Sequence, residues 1–178
     1  MRLEQFLNDL GSKKGAPGGG AAAALVGASG AALVEMVARL NDARLGRSSG
    51  TAAKAARLRK KLQRLIVEDA RAFARLARTY RSRKTKKVAW QNALKQGAQP
   101  PLRVCECCHD TSRLSKNERG RTSAWLRSDL DESAILLRAS FEAASLNVNV
   151  NLRAITDRAY RNAIQKRVGT WRRKFQRS

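Results

Sequence analysis

Asp69 stands where a carboxylate is costly. It falls between Leu65 or Ile66 and Phe73 at steps of three and four, so on a helix it turns with the apolar stripe toward the core. Burial without a partner raises a carboxyl pKa toward the neutral form, the state from which it can give and take protons near neutral pH. An Asp bonded to a nearby helix end or to an Arg would occupy the same position, and the pattern leaves both readings open. A second element is the run GAPGGG at 15–20, directly ahead of an apolar helix. Consecutive glycines expose backbone amides that can receive an anion or a ligand carbonyl at the helix N-terminus. The run is not a nucleotide loop: the Lys-Ser/Thr ending of a P-loop and the strand before a dinucleotide turn are both missing. A plain flexible turn has the same composition.

Three further groups can be read in two ways. Ser128-Asp129-Leu130-Asp131-Glu132 has the form of a helix start, with Ser128 as cap and acids in the first turn, and capping cannot be separated from a chemical role for Asp129. Cys105, Cys108 and His109 share a helical face at i, i+3 and i+4, but no fourth ligand is evident, so buried thiols are the preferred reading and no metal is expected. Trp125, Trp171 and Phe175 lie among arginines, a setting suited to stacking on bases, although amphipathic helices also carry aromatics at the core edge.

The elements that must position these residues are helical. Leu3, Phe6, Leu7 and Leu10 predict a short helix over 2–10, and the small-residue run from Ala21 to about Ala43 predicts a second, able to pack closely and across a subunit boundary. After LGRSSG at 45–50, a long helix is expected over 51–81, with an apolar stripe and a basic opposite face. RSRKTKK at 81–87 reads as a solvated hinge or anion-binding run, followed by a helix over 88–96. Pro100 and Pro101 are expected to restart the chain, with a helix through Cys105 to Leu114 and then a polar stretch, SKNERGRTS. A helix from Ser128 to about Leu146, a turn LNVNVNL and an Arg-rich helix over 155–175 complete the reading, with 171–178 as a basic tail. The apolar run from Ala21 to Val34 is too short for a membrane span, and no membrane partner is expected.

The expected class is therefore all-α: one domain over 1–178, a bundle of long and short helices. A hydrophobic content of 43% suffices for a core, and 5% aromatics without β-branched runs disfavour sheet. Thirty-seven Lys and Arg against 14 Asp and Glu give +23, a field that attracts nucleic acid, anionic surfaces or polycarboxylate ligands without choosing among them. Three clustered cysteines and no signal peptide point to a reducing, cytoplasmic setting.

Three blocks, FLNDLGSKKGAPGGGAAAALVGASGAALVEMVARL, VEDARAF and SDLDESAILLRASFEAASLNVNVNL, occur in the order and form of the formiminotetrahydrofolate cyclodeaminase and methenyltetrahydrofolate cyclohydrolase family, which the chain resembles from Phe6 to about Leu152. The resemblance implies an all-helical subunit that dimerises through helices and takes a tetrahydrofolate derivative as substrate. It would release ammonia from 5-formiminotetrahydrofolate or interconvert 5,10-methenyl- and 10-formyltetrahydrofolate. Carried over onto this sequence, it makes Asp69 and Asp129 the catalytic carboxyls, and Pro17, Gly18, Gly19, Gly20, Ser128, Asn147 and Asn151 substrate-binding. Lys13, Lys14, Arg44 and Arg47 are the cations expected to hold the glutamate tail of a folate. The alternative is an inactive basic relative that keeps the helices and binds RNA or DNA.

Overall fold

The computed structural model describes residues 2–176. Among them are six helices and no strand: α1 (Leu3–Leu10), α2 (Gly19–Leu45), α3 (Thr51–Tyr80), α4 (Lys87–Arg119), α5 (Arg127–Arg153) and α6 (Arg158–Gln176), with a 3-10 turn, Ala124–Leu126, before α5. The fold is all-α, as its composition implies.

α2 is the central rod, packed on α3, α4 and α5. Its small residues set those distances: a Cβ on Gly27 would lie 2.7 Å from Ser140 Oγ and 3.1 Å from Cys108 Sγ, and one on Gly30 would lie 2.9 Å from Leu137 Cγ. The close packing expected of this run is thus used within the subunit. Ser140 donates to the Ala23 carbonyl at 2.7 Å, tying α5 to α2. By length and composition α2 could cross a membrane, being longer than the apolar run alone suggests, yet 61% of its most apolar window is buried against the other helices. α6 closes one side, with Phe175 against Phe141 at 4.8 Å between ring centroids.

Three breaks expected from sequence are absent. Pro100 and Pro101 lie inside α4 instead of restarting the chain. Leu94, Ala98, Leu102 and Cys105 keep one buried stripe across them, and that packing outweighs the hydrogen bonds two prolines remove. The polar stretch after Leu114 remains helical to Arg119 because Ser115 and Glu118 face inward. LNVNVNL is not a turn but the last two turns of α5. Its alternation hides a helical repeat: Val148 and Leu152 are buried one turn apart, Leu146 and Val150 are exposed, and Asn147 and Asn151 share a third face. The α5 start also differs, since Leu126 occupies the cap position with no side-chain cap, Ser128 is exposed, and Asp131 pairs with Arg119 at 2.6 Å.

The far end of α2 is held by a polar cluster. Glu118, 1% exposed, accepts from Ser49 Oγ at 2.6 Å and Asn41 Nδ2 at 3.0 Å, while Arg121 bridges it to Asp42. Of the expected basic tail, Trp171 to Gln176 belongs to α6, and Arg177 and Ser178 lie outside the described residues.

Candidate functional site

At the other end of α2 the glycine run meets α3, α4 and α5 around a cavity of about 280 Å³. Its wall includes Gly15, Gly18, Gly19 and Gly20, then Asp69, then Asn147 and Asn151. Phe73, Leu76, Gly97 and Pro101 complete it. Four stretches separated by up to 136 positions in sequence are thereby brought to one place.

Asp69 enters this wall from α3 and lies against the first turn of α2. A Cβ on Gly20 would sit 2.6 Å from the Asp69 Cγ and overlap both carboxylate oxygens, so no other residue fits there without moving the carboxyl. Burial pushes the Asp69 pKa above its ordinary value, and the Ala21 amide, which hydrogen-bonds the carboxyl, pulls partly the other way. Both readings of Asp69 hold together: it satisfies a helix end and it faces a cavity. The α2 N-terminus has no side-chain cap, so the Gly19 and Gly20 amides of its first turn have no partner within the helix.

Asn147 and Asn151 form the opposite wall. Each donates its side-chain N–H back to the carbonyl four residues earlier, Asn147 to Ala143 at 2.9 Å and Asn151 to Asn147 at 3.0 Å. Their Oδ1 atoms are left as acceptors, that of Asn151 only 2.9 Å from where a Cβ on Gly97 would stand. The cavity therefore has amide donors on its α2 side, oxygen acceptors on its α3 and α5 sides, and an apolar edge in Phe73, Leu76 and Pro101.

The other sequence-derived residues lie elsewhere. Pro17, joined to Ala16 by a cis peptide bond, precedes the glycines without lining the cavity. Lys13 and Lys14 sit on the loop leading to it, Lys14 paired with Asp9 at 2.8 Å. Arg44 and Arg47 are at the far end of α2, about 37 Å from Gly19 at 1.5 Å per residue. There the Arg44 side chain donates to the Arg121 carbonyl, and the Arg47 carbonyl accepts from Arg121 at 2.9 Å. Within one subunit they cannot meet a ligand held at the glycines. Ser128 and Asp129 open α5 about 27 Å from Asn147 by the same measure and do not join Asp69 in this cavity. Phe73, Leu76, Gly97 and Pro101 were missed. Phe73 and Leu76 carry the signal of sharing the Asp69 face, whereas Pro101 reads as a break in the chain and Gly97 carries no signal of its own.

Cys105, Cys107 and Cys108 are fully buried. Cys105 reaches the Phe141 carbonyl and Cys108 the Ser140 hydroxyl, while burial pushes the Cys107 thiol up to about 11 and that of Cys108 to about 12. They are core thiols, and among the described residues no three His, Cys, Asp or Glu side chains gather as metal ligands. Trp171 stacks on buried His109 and Phe175 is buried, so of the three Arg-flanked aromatics only Trp125 stands free in solvent.

The family model described as formiminotransferase-cyclodeaminase matches residues 2–170. The chain belongs to this family. Among its relatives is the methenyltetrahydrofolate cyclohydrolase of Methylorubrum extorquens, 31% identical over 89% of this chain and 82% of that protein. The formimidoyltransferase-cyclodeaminase of Sus scrofa is 28% identical over 94% of this chain, which spans about a third, 34%, of that longer protein. The crystal structure of formiminotetrahydrofolate cyclodeaminase from Thermotoga maritima superimposes with a TM-score of 0.90 at 27% identity, covering 99% of this chain and 90% of that one. The match extends into α6, to residue 170, beyond the point near Leu152 where the sequence blocks end.

Proposed function

We propose that this family member is a folate one-carbon enzyme that acts through 5,10-methenyltetrahydrofolate, with Asp69 as its proton carrier. The observation that carries this reading is the Asp69 carboxyl, raised in pKa by burial and fixed against Gly20 in the wall of an open cavity. The glycine loop is not plugged by side chains, so the inactive alternative has no structural motive. In the hydrolytic direction water adds to the bridging carbon of the methenyl cation. Asp69 takes one water proton and returns it to N5 as the C–N5 bond breaks, giving 10-formyltetrahydrofolate while the second proton is released. In the deaminating direction N10 adds to the formimino carbon, its proton is lost, and Asp69 protonates the departing nitrogen, which leaves as ammonia. The oxygens of Asp69 and Asn147 face the positive charge that both routes share, and the Gly19 and Gly20 amides hold a ligand carbonyl. The reading uses no metal.

Asp69→Asn keeps the shape and removes the proton transfer. Turnover of 5,10-methenyltetrahydrofolate, followed by absorbance with uncatalysed hydrolysis subtracted, is expected to fall about 10²–10⁴-fold, the usual worth of general acid–base catalysis. Full activity in a folded Asp69→Asn protein would rule out the proton-carrier role. Ammonia release from 5-formiminotetrahydrofolate, assayed in parallel, separates deaminase from cyclohydrolase.

Two partners beyond the folate are part of the same proposal. Leu25, Ser29, Ala32, Met36 and Leu40 succeed one another on an uncharged outer stripe of α2, the face on which two strongly positive copies can meet as a homodimer. Nucleic acid is favoured by α3: Arg57, Lys60, Arg64, Arg71, Arg75 and Arg78 are all exposed on one side of the helix, and none is in an ion pair among the described residues. Polyanion affinity at that stripe should fall steeply with salt, whereas folate binding survives it. The buried thiols accord with a reducing cytoplasm.

A further inference from the structure

Inside an α-helix a carbonyl is met by the N–H four residues on, or three where the helix tightens. For Gly97 those positions are Pro101 and Pro100, and neither has an N–H. Gln96 differs, because the N–H of Gln99 is still in reach of its carbonyl. Among the described residues no side chain donates to Gly97 either. A buried carbonyl left without a donor is normally avoided, yet Gly97, Pro100 and Pro101 are all buried.

This acceptor lies at the cavity. Gly97 and Pro101, which bracket the carbonyl along α4, both belong to its wall, and Gly97 has no side chain to screen its own backbone. Asn151 brings a second oxygen to the same spot. A Cβ on Gly97 would stand 2.9 Å from Asn151 Oδ1, while Asn151 Nδ2 is committed to the Asn147 carbonyl at 3.0 Å. Two acceptors therefore belong to the same stretch of wall, and among the described residues no side chain donates to either.

We infer that the Gly97 carbonyl and Asn151 Oδ1 form an acceptor pair for adjacent N–H donors of the ligand, the exocyclic amino group and neighbouring ring N–H of an aminopyrimidinone, and that the Pro100–Pro101 pair keeps the Gly97 carbonyl unbonded for that purpose. This rests on the folate reading, since the pterin end of a folate carries that donor pair. It gives the prolines a positioning role: they touch the chemistry only through the carbonyl they leave free. It also fixes the ligand's direction, with the pyrimidine edge toward α4 and α5 and the one-carbon bridge toward Asp69.

Pro101→Ala tests this by restoring an N–H four residues after Gly97. Pro100→Ala restores only the N–H three residues on, which meets the Gly97 carbonyl less well than the one four residues on. Both variants are expected to melt no lower than the parent, because alanine is the better helix former. In Pro101→Ala the KM for 5,10-methenyltetrahydrofolate should rise about tenfold, the worth of one ligand hydrogen bond, with kcat changed less than about threefold. In Pro100→Ala the KM should rise less than in Pro101→Ala, with kcat again little changed. A folate analogue lacking the 2-amino group should bind the parent about tenfold more weakly than folate, a difference that collapses in Pro101→Ala. Parental KM and parental discrimination in a folded Pro101→Ala would overturn the acceptor pair while leaving the folate reading intact. A parent that neither turns over nor binds any folate would instead defeat the folate reading, and the acceptor pair with it.

Discussion

Gly20→Ala probes how tightly the glycine run and Asp69 are matched. The added methyl would stand 2.6 Å from the Asp69 Cγ, closer still to a carboxylate oxygen. Carbon atoms rest about 3.5–4.0 Å apart, so the carboxyl or the start of α2 must give by about 1 Å. Overpacking of this kind costs about 1–3 kcal/mol, and alanine in a helix returns about 1 kcal/mol relative to glycine. The net loss is about 0–2 kcal/mol, which in a protein of this size lowers the Tm by at most about 8 °C. Activity should suffer far more, because a displacement of about 1 Å at the reacting group can cost about 10²-fold. Gly46→Ala is the matched control. Gly46 ends α2 at φ +62° with nothing within 4 Å of a new Cβ, so the variant loses about 1 kcal/mol to backbone strain and keeps its turnover. Melting curves and methenyltetrahydrofolate turnover on the two proteins separate the cases. If folded Gly20→Ala turned over within about threefold of the parent, the claim that Gly20 exists to seat Asp69 would be wrong.

Two further outcomes follow from other parts of the structure. Burial alone would raise the Glu118 pKa, but hydrogen bonds from Ser49, Asn41 and Thr51, with the Arg121 charge beside it, hold the carboxyl below its ordinary value. A depressed carboxyl stabilises the fold above its unfolded pKa and loses that contribution as pH falls through the folded value. Glu118→Gln should therefore cost about 2–3 kcal/mol near pH 7, or about 4–12 °C in Tm, with the gap from the parent closing below about pH 4 in thermal scans. Met36→Glu should convert a homodimer to a monomer by light scattering while leaving the Tm of the isolated subunit nearly unchanged, since Met36 is 38% exposed; an unaltered mass would move the interface off α2.

How much of this was legible in sequence depends on which forces local pattern records. α1, α2 and α3 were readable nearly to the residue, because each couples an apolar period to a glycine at its end. α4 and the end of α5 were not, because their breakers are overruled from outside the segment. The stripe from Leu94 to Cys105 packs on neighbours that no local rule contains, and the alternating LNVNVNL imitates extended chain while repeating every fourth residue. The site divided in the same way. Asp69 announced itself by interrupting a stripe, and Gly20 by its run, whereas the partnership of Gly97 with Asn151 exists only where α4 meets α5. Arg44 and Arg47 show what the pattern omits: once α2 is continuous from Gly19 to Leu45, its two ends are too distant to share a ligand within one subunit.

The charge of the chain and the character of its cavity then cease to conflict. At +23 the protein as a whole should repel a cation, yet the methenyl intermediate is one. Beyond about 10 Å the general positive field is screened by salt, so what the bridging carbon meets is set by the oxygens in contact with it. On the proposed reading those are the carboxyl of Asp69 and the amide oxygen of Asn147, and no Lys or Arg among the described residues lines the wall. On the same reading the outer field acts on the other end of the substrate, its glutamate carboxylates, for which Lys13 and Lys14 stand on the loop that leads into the glycines. Opposite signs at depth and at the rim orient a molecule that is positive at one end and negative at the other. A surplus of lysine and arginine over the surface strengthens that orientation as long as none of it enters the cavity, and among the described residues none lines it.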